Sequence, residues 1–323
     1  MITPPMSMTR RHPLITLLLG YVLLGAPLRL PADNHCGEQG IWLQVLGSGG
    51  PEIDDGRASA SYLVWRDGHA RILLDAGGGS SLNFEHVGAD FNDLQVILFS
   101  HFHVDHSAEL PVYIMGGYFT GREHDLAMFG PSGNRLMPAM TDFITALFAD
   151  GNGAFGYLSD YATPTEAADY HLRPVNVDAT LRKPATIYQQ DGIRLSTVGV
   201  HHGPVPALAW KIEIEGRSLI YTGDMNGEAG TLPALGNDID LLLAHNAIPE
   251  DAGGVARNLH MPPSVIGQLA EQTGARQLLL SHFMQRTLGR EAETLRYIRK
   301  HYDGPVRFAR DGECFALAGS VAE

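Results

Sequence analysis

Short apolar runs, most of them about four to eight residues long, recur along the chain, and most are followed by Gly, Asp, Asn, Ser or His. Alternating or continuous apolar positions over this length predict β-strands that are buried on one face or on both. The predicted strands are 41–46, 61–65, 71–75, 94–99, 126–129, 193–200, 208–215, 218–221, 240–244, 277–280 and 306–309.

A second pattern, apolar positions spaced by three or four residues, predicts helices. It occupies 135–149, 263–272, which has proline in its first turn, and 291–301. The stretch 151–184 shows no period and many small, polar or Pro residues, so we interpret it as a surface excursion. Strands dominate early and alternate with helices later, which predicts an α/β (α+β) fold with two sheets and outer helices in one domain.

The N-terminal segment carries the pattern of a targeting signal. Arg10 and Arg11 precede the uncharged, Leu-rich run 13–28. This run is shorter than the about 20 residues that cross a bilayer, and a basic region followed by an apolar one is typical of a secretory signal. We predict a signal peptide over 1–32, a folded domain over 33–323, a periplasmic or secreted location, and no stable membrane span after cleavage. An uncleaved N-terminal membrane anchor is the alternative.

Composition narrows the classes of partner and of metal site. The chain has 36 acidic and 23 basic residues and a formal charge of -13. Proteins that grip phosphate backbones need basic surfaces, so we expect no nucleic-acid partner. Only 2 cysteines are present, which excludes a thiolate-cluster metal site and a disulfide-dense scaffold. The 15 histidines leave imidazole metal chemistry open.

The candidate chemistry is concentrated directly after the apolar run 95–100. His101 and His103 project to the same side of an extended chain, because side chains alternate along it. Asp105 and His106 follow where the chain turns. Imidazole nitrogens and carboxylate oxygens are the ligands expected of a zinc site with open coordination positions. This clustering predicts a metal site.

The segment His101-Phe102-His103-Val104-Asp105-His106 resembles the H-x-H-x-D-H signature of the metallo-β-lactamase superfamily. The resemblance runs from about residue 41 to residue 315, and the stretches 47–51 and 129–133 are most similar to its ribonuclease Z and arylsulfatase-like branch. It implies an αββα sandwich of two mixed β-sheets flanked by helices, with the metals at one edge. Further matching stretches follow in the order that the superfamily shows: 73–77, 201–203, 221–224 and 280–282.

The resemblance also implies which residues hold two zinc ions per chain, with Mn²⁺ or Fe²⁺ as alternatives. Asp224 would bridge the two ions. For the 201–202 pair we take His202, because it leads directly into Gly203. The remaining ligands would be His101, His103 and His202 for one ion, and Asp105, His106 and His282 for the other.

Several other residues receive supporting or catalytic roles from the same resemblance. Asp105 and His260 are the predicted catalytic residues, with His260 stabilising the transition state or protonating the leaving group. Asp75 either orients a ligand histidine or simply ends a strand. His245 is expected to have a supporting polar role. Three arginines are considered as cations for an anionic substrate, although a surface role is the alternative for each: Arg122, Arg135 and Arg257.

The predicted function is hydrolysis of a small-molecule ester by a hydroxide held between the two zinc ions. A phosphodiester or a sulfate ester is preferred over tRNA, because the chain is acidic and the interval between His202 and Asp224 is too short for the tRNA-gripping arm of ribonuclease Z. The alternatives are a lactonase or β-lactamase-like hydrolase, an iron-dependent oxidoreductase of the same fold, and a binding protein without activity. A homodimer is also left open.

The two cysteines lie near opposite ends of the predicted domain. Cys36 lies just before the first strand, and Cys314 lies in the last one. Terminal strands approach one another in the fold that the resemblance implies, so we predict a Cys36–Cys314 disulfide. Two unrelated buried thiols are the alternative.

Overall fold

Two seven-stranded mixed sheets form the centre of the fold. In the computed structural model the described residues are 36–163 and 168–317. Within these ranges the strands are β1 Ile41–Gly47, β2 Ser61–Arg66, β3 His69–Leu74, β4 Val96–Leu98, β5 Leu126–Pro131, β6 Leu172–Val177, β7 Ala185–Gln190, β8 Ile193–His202, β9 Val205–Ile214, β10 Arg217–Tyr221, β11 Leu241–His245, β12 Leu278–Ser281, β13 Val306–Phe308 and β14 Cys314–Ala316.

The two sheets have the same internal plan. The first has the order β14-β1-β2-β3-β4-β5-β6, and the second has the order β13-β12-β11-β10-β9-β8-β7. In the first sheet β14, β1, β2 and β3 pair antiparallel, and β3 to β6 pair parallel. In the second sheet β7 to β10 pair antiparallel, and β10 to β13 pair parallel. Each sheet therefore has one half whose parallel strands end at a common edge.

Helices lie between the strands of the parallel halves and in the loops that follow them. The longest helix of the described ranges, Pro263–Gln272, has proline at its first position, as the sequence predicts. The helices are α1 Ser80–His86, α2 Val104–Ser107, α3 Leu110–Tyr118, α4 Met140–Phe148, α5 Ser159–Ala162, α6 Gly254–Leu259, α7 Pro263–Gln272 and α8 Glu291–Ile298.

Strands of the first sheet are apolar on both faces because each face borders a different core. Alternate residues of β3 show this, since Ile72 and Leu74 belong to the core that includes the second sheet, whereas Leu73 belongs to the other core. Trp210 of the second sheet is completely buried in the first of these cores. The second core includes Phe84 of α1 and Tyr113 of α3. This burial on both faces explains the continuous apolar runs, and the predicted sandwich of two mixed sheets flanked by helices is confirmed.

The structure departs from the predicted elements where proline interrupts a pattern. The predicted helix 135–149 begins only at Met140, because the residue before Pro138 disfavours helical backbone. The predicted excursion 151–184 is wrong in part, since it contains α5 and strand β6. Arg173 and Pro174 break the apolar alternation of β6, and Pro174 is tolerated because β6 is an edge strand.

The structure joins Cys36 and Cys314 in a disulfide, the pairing that the sequence predicts, with a Cα–Cα distance of 5.6 Å. β14 pairs antiparallel with β1, and Cys314 lies opposite Gln44. The predicted signal peptide over 1–32 lies outside the described residues. Of the helices within the described ranges, none has the length and apolar character needed to cross a membrane.

Candidate metal centre

Five polar side chains lie at or just beyond the ends of parallel strands. Asp75 follows β3, His101 lies beyond β4, Asp224 lies beyond β10, His245 ends β11, and His282 follows β12. The carboxyl ends of parallel neighbours meet at the same edge of a sheet, so each half-sheet brings its polar residues together. The two edges face each other across the sandwich, because Asp224 Oδ2 of the second sheet lies 4.0 Å from His101 Nε2 of the first. Within the second sheet, Asp224 Oδ1 lies 3.5 Å from His282 Nε2.

The His101–His106 segment supplies four side chains to the site, because its backbone changes from extended to helical after His103. His103 is extended, and α2 begins at the next residue. The helical turn is closed by a hydrogen bond from His106 N to His103 O at 3.0 Å. Asp105 and His106 lie in the first turn of this helix and are buried. This turn thus brings Asp105 and His106 to the same site as His101 and His103.

The first group of candidate ligands consists of three histidines and one carboxylate. Their ligating atoms all lie within 4.8 Å of one another. His202 Nε2 lies 3.3 Å from His103 Nδ1 and 3.6 Å from Asp224 Oδ2. The group is His101, His103, His202 and Asp224, the set that the resemblance assigns to one ion.

The second group also includes Asp224. It consists of His106, Asp224, His245 and His282, again with ligating atoms within 4.8 Å of one another. Asp105 belongs to the same surroundings, because its Oδ2 lies 3.2 Å from His282 Nε2 and 3.6 Å from His106 Nε2. The structure therefore brings the three residues expected around the second ion together and adds His245 to them.

The structure distinguishes the two neighbouring histidines at the end of β8. His202 is buried, and its Nδ1 donates to Leu259 O at 2.8 Å. A protonated Nδ1 leaves Nε2 without a proton and free to bind a metal. The side chain of His201 is 41% exposed and contacts Asn226 instead. The geometry places His202, rather than His201, in the cluster.

Asp224 lies between the two groups. Its Oδ1 is 2.7 Å from His245 Nδ1, and its Oδ2 is 3.7 Å from His106 Nε2. Burial raises the pKa of this carboxyl, but His282 and other nearby histidines hold it well below the ordinary range. The preceding Gly223 has a φ of 57°, and a Cβ there would lie 2.6 Å from Ser100 Cβ. Only glycine fits this turn, which places Asp224 against both sheets.

Asp75 is buried behind His106, and its carboxylate fixes the orientation of that imidazole. His106 Nδ1 lies 2.7 Å from Asp75 Oδ2, which also accepts from Ser100 Oγ at 2.6 Å and from Tyr221 OH at 2.5 Å. Burial opposes protonation of His106, yet the carboxylates of Asp105 and Asp75 raise its pKa well above the ordinary value. Asp75 thus orients a candidate ligand, the first of the two roles considered from the sequence.

His245 has both ring nitrogens engaged by protein groups. Nδ1 contacts Asp224, and Nε2 lies 3.2 Å from the hydroxyl of Tyr62. Burial lowers the pKa of His245 to about 3, so the ring is neutral near pH 7. A neutral ring between these two partners orients Asp224, which agrees with the supporting role expected from the sequence. Sequence reasoning missed Tyr62, whose position is decided by pairing between distant strands.

His260 lies directly after α6 and beside Asp224. It is buried, and its Nδ1 is 3.7 Å from Asp224 Oδ2 without a hydrogen-bond partner among the described residues. Burial lowers the pKa of His260 to about 4, so this imidazole is neutral near pH 7. The structure therefore places His260 at the site, as predicted, with an unpaired nitrogen facing the cluster.

One cation beside the site was missed in the sequence. Arg286 lies four positions after His282, and its Nε donates to Ala247 O at 2.7 Å. Burial lowers the pKa of its guanidinium, whereas Glu52 and Asp224 raise it. The charge of Arg286 also lowers the pKa of His260.

Arg122, one of the three arginines considered from the sequence, is buried away from the site. It donates to backbone carbonyls, those of Phe91, Leu94, His124 and Asp125.

The donor set fits a divalent metal ion. His101 Nε2 is buried and has no hydrogen-bond partner in the described part of the chain, although it faces Asp224 Oδ2. An imidazole nitrogen left unpaired in the interior is costly unless it binds something. Imidazole and carboxylate groups without thiolate suit zinc and related divalent ions. The fold and these groups together imply a divalent metal ion.

Comparison with known proteins identifies the family. The family model described as "Beta-lactamase superfamily domain" matches residues 70–283, which include every candidate ligand. The chain belongs to this superfamily. Its fold is that of the metallo-beta-lactamase fold protein YhfI from Bacillus subtilis, which is 20% identical with a TM-score of 0.65 and covers 85% of this chain and 98% of its own.

Several similar proteins are ribonucleases Z. Ribonuclease Z of Mycobacterium sp. (strain KMS) is 28% identical over 255 residues, which cover 76% of this chain and 84% of the relative. Ribonuclease Z of Haloferax volcanii is 26% identical over 297 residues, which cover 83% and 92%. Human tRNase Z, short form, shares the fold with a TM-score of 0.63 at 17% identity, and covers 86% of this chain and 99% of its own. The chain is a metallo-β-lactamase superfamily hydrolase that acts on ester bonds and is close to ribonuclease Z.

The expectation that the chain has no nucleic-acid partner is wrong. The relatives that match most of the chain are ribonucleases Z, and one fold neighbour is a tRNase Z. The error has a physical reason, because a formal charge of -13 is a sum over the whole chain. Contacts with phosphates depend on the charge near the site, where the guanidinium of Arg286 interacts electrostatically with Asp224 and His260.

Proposed function

We propose that this protein is a zinc-dependent phosphodiesterase. The observation that carries the proposal is the pair of ligand groups that share Asp224 at one edge of the sandwich. The residues that would hold the first ion are His101, His103 and His202, and those for the second are Asp105, His106 and His282, with Asp224 between them. Two divalent ions in such a site supply an activated water and neutralise charge on the leaving oxygen.

Asp105 would accept a hydrogen bond from the attacking water. Burial raises the pKa of this carboxyl, but His106 and His282 together lower it by more. Asp105 is therefore ionised near pH 7. An ionised carboxylate only accepts hydrogen bonds, and Asp105 therefore orients the water with its lone pairs toward the phosphorus. Asp105 Oδ2 lies 3.2 Å from His282 Nε2, so the carboxylate faces the same cluster as this candidate ligand.

His260 and Arg286 would act on the phosphate group. A neutral His260 carries one N–H, which would donate to a phosphoryl oxygen as negative charge develops in the transition state. The guanidinium of Arg286 is tethered by Ala247 O and Met284 Sδ, at 2.7 and 3.0 Å from its donors. Its charge would stabilise the anionic substrate. A phosphodiester, which keeps a negative charge throughout the reaction, uses both residues.

The names of the relatives place RNA among the phosphodiesters to be tested. A substrate panel decides between bond types: a tRNA precursor, bis(p-nitrophenyl) phosphate, p-nitrophenyl sulfate, a lactone and a β-lactam, each with and without a chelator. We expect hydrolysis of a phosphodiester that the chelator abolishes. The relative rates on RNA and on the small phosphodiester then identify the substrate class.

A matched pair of variants completes the test. His103→Ala removes a candidate ligand and should abolish the activity, whereas His201→Ala changes a neighbouring histidine outside the cluster and should retain it. Metal analysis of the purified protein should find two zinc ions per chain. Hydrolysis confined to the sulfate ester, the lactone or the β-lactam would reject the phosphodiester proposal, and iron without hydrolysis would favour an oxidoreductase.

A further inference from the structure

Asp311 lies outside the metal cluster, but its carboxylate holds both ends of the loop that follows β1. Oδ1 accepts from Ser48 N at 2.9 Å and from Ser48 Oγ at 2.6 Å. Oδ2 accepts from Ala58 N at 2.8 Å. The residues between these contacts, 48–58, are called the 48–58 loop below. One side chain from the C-terminal segment thus closes this loop.

Arg57 adds a cation to the same contacts. Its Nη1 donates to Ser48 Oγ at 2.5 Å and to Ala309 O at 3.1 Å. The guanidinium carbon lies 5.1 Å from the centre of the Phe283 ring, a cation–π contact. Arg57 therefore links the closed loop to the residue that directly follows His282.

The backbone of the 48–58 loop lies against His282 itself. Gly50 N donates to Phe283 O at 3.0 Å, and Phe283 N donates to Ser48 O at 2.9 Å. A Cβ on Gly50 would lie 2.9 Å from His282 Cε1, so the glycine backbone directly borders the imidazole. The position of this loop limits where the ring of His282 can lie.

His282 depends on this support because its backbone is unfavourable. Its φ of 57° lies in the left-handed region, which costs free energy for a residue other than glycine. Such a conformation persists only when the surrounding structure holds it. We propose that Asp311 is a positioning residue for His282, acting through the 48–58 loop, and this inference rests on the proposed metal site.

The segment that presents Asp311 is itself fixed to β1. Gly312 N donates to Val45 O at 2.7 Å, and Val45 N donates to Glu313 O at 3.0 Å. Cys314 follows and is bonded to Cys36. Because its backbone is held on both sides of the turn, Asp311 has a defined position from which to hold the loop.

The test compares Asp311→Asn with Asp240→Asn. Asparagine keeps the shape of Asp311 but loses the charge and one accepting oxygen. Asp240 is a matched control, since it accepts from Ser218 N at 2.8 Å and lies 3.3 Å from Arg276 Nη1. It precedes β11, whose far end carries His245. Metal affinity is measured by competition with a chelator, and the absorption spectrum of the Co²⁺-substituted protein reports the ligands.

We expect Asp311→Asn to weaken binding of one of the two metal ions by about tenfold or more, as changes behind metal ligands do, and to alter the Co²⁺ spectrum. Asp240→Asn should change neither. Gly50→Ala is a second variant that leaves Asp311 in place and pushes directly on His282, and it should reproduce the same loss. Circular dichroism and the melting temperature show whether each variant is folded.

Two results would overturn the proposal. One is a folded Asp311→Asn protein with unchanged metal affinity and an unchanged Co²⁺ spectrum. The other is an equal loss of affinity in Asp240→Asn, which would mean that general destabilisation is the cause. Neither measurement uses a substrate, so a protein that hydrolyses no phosphodiester would still give a decisive answer about Asp311.

Discussion

Several histidines surround Asp224, and the hydrogen-bond partner of each ring determines which of its nitrogens is left to bind a metal. His202 uses Nδ1 to donate to a backbone carbonyl, so its Nε2 faces the cluster. His106 has Asp75 at its Nδ1 and His282 near its Nε2. His245 has a protein partner on both sides. Residues behind the ligands therefore decide which imidazoles can bind a metal.

This arrangement predicts opposite results for the two residues at the end of β8. His202→Ala should lower the affinity for metal and the hydrolytic rate by about 100-fold or more, because the loss of a ligand exceeds the usual effect of its supporting partners. His201→Ala should change both by less than about twofold, since surface substitutions have small effects. Metal analysis and steady-state rates check this prediction. Equal losses in the two variants would contradict the assignment of His202.

At the scale of elements, the site depends on where strands end more than on any one motif. β3, β4, β10, β11 and β12 each deliver a polar residue at or near the last position, and a shift of one residue would reverse the side of every side chain. Registers such as Tyr221 opposite Leu243 hold the ends of neighbouring strands level. The buried strands thus act as a rigid frame for the ligands.

The edge strand β6 is held partly by a surface carboxylate, which makes its stability sensitive to pH. Asp125 Oδ2 accepts from Arg173 Nε at 2.6 Å, and Asp125 Oδ1 accepts from His171 N at 2.9 Å. Burial raises the pKa of the Asp125 carboxyl, but the hydrogen bonds from Arg173 and His171 together lower it below its ordinary value. Because the pKa is lower in the folded state, Asp125 contributes to the free energy of unfolding above about pH 4. This contribution is lost as the pH falls through the folded-state pKa.

We expect Asp125→Asn to reduce the free energy of unfolding at pH 7 by less than about 1 kcal/mol, because exposed ion pairs contribute little. The difference from the unmodified protein should disappear toward pH 3. Urea unfolding at both pH values measures it, with the exposed carboxylate of Asp142 on α4 as control in Asp142→Asn. A difference that persists or grows at low pH would reject the role of Asp125.

At the scale of the whole molecule, the disulfide joins the two ends of the described chain. Cys36 and Cys314 are 278 positions apart, and the bond ties the segment before β1 to β14. Disulfides persist in oxidising compartments, which supports our proposal that the protein is exported. The same bond secures the segment that presents Asp311.

Loss of this disulfide should destabilise the protein, because a cross-link over so long a loop restricts the unfolded chain. We expect the Cys36→Ala/Cys314→Ala double variant to lose about 2–5 kcal/mol of unfolding free energy. Urea unfolding with and without dithiothreitol is the measurement. Reductant should shift the midpoint of the unmodified protein to that of the variant and leave the variant unchanged. No shift in the unmodified protein would mean that the thiols are unpaired in solution.

The sequence by itself determined the parts of the site that depend on local spacing. The His101–His106 segment needs only one strand end and one helical turn to bring its ligands together, so neighbouring residues specify it. Buried strands were recognised from their apolar runs, because most of them are covered on both faces. The edge strands β6 and β7 were not, because polar residues and proline hide their pattern.

Only the tertiary structure decided which distant groups meet. The resemblance already assigns His202 and Asp224 to the site. The contacts of Tyr62 with His245 and of Tyr221 with Asp75, by contrast, depend on the packing of two sheets against each other. Arg286 shows the same limit, because its charge acts on Asp224 and His260 through space rather than along the chain. The net charge gave a wrong prediction about nucleic-acid partners for the same reason. Recognition of a substrate depends on where charges lie around the site and not on their sum.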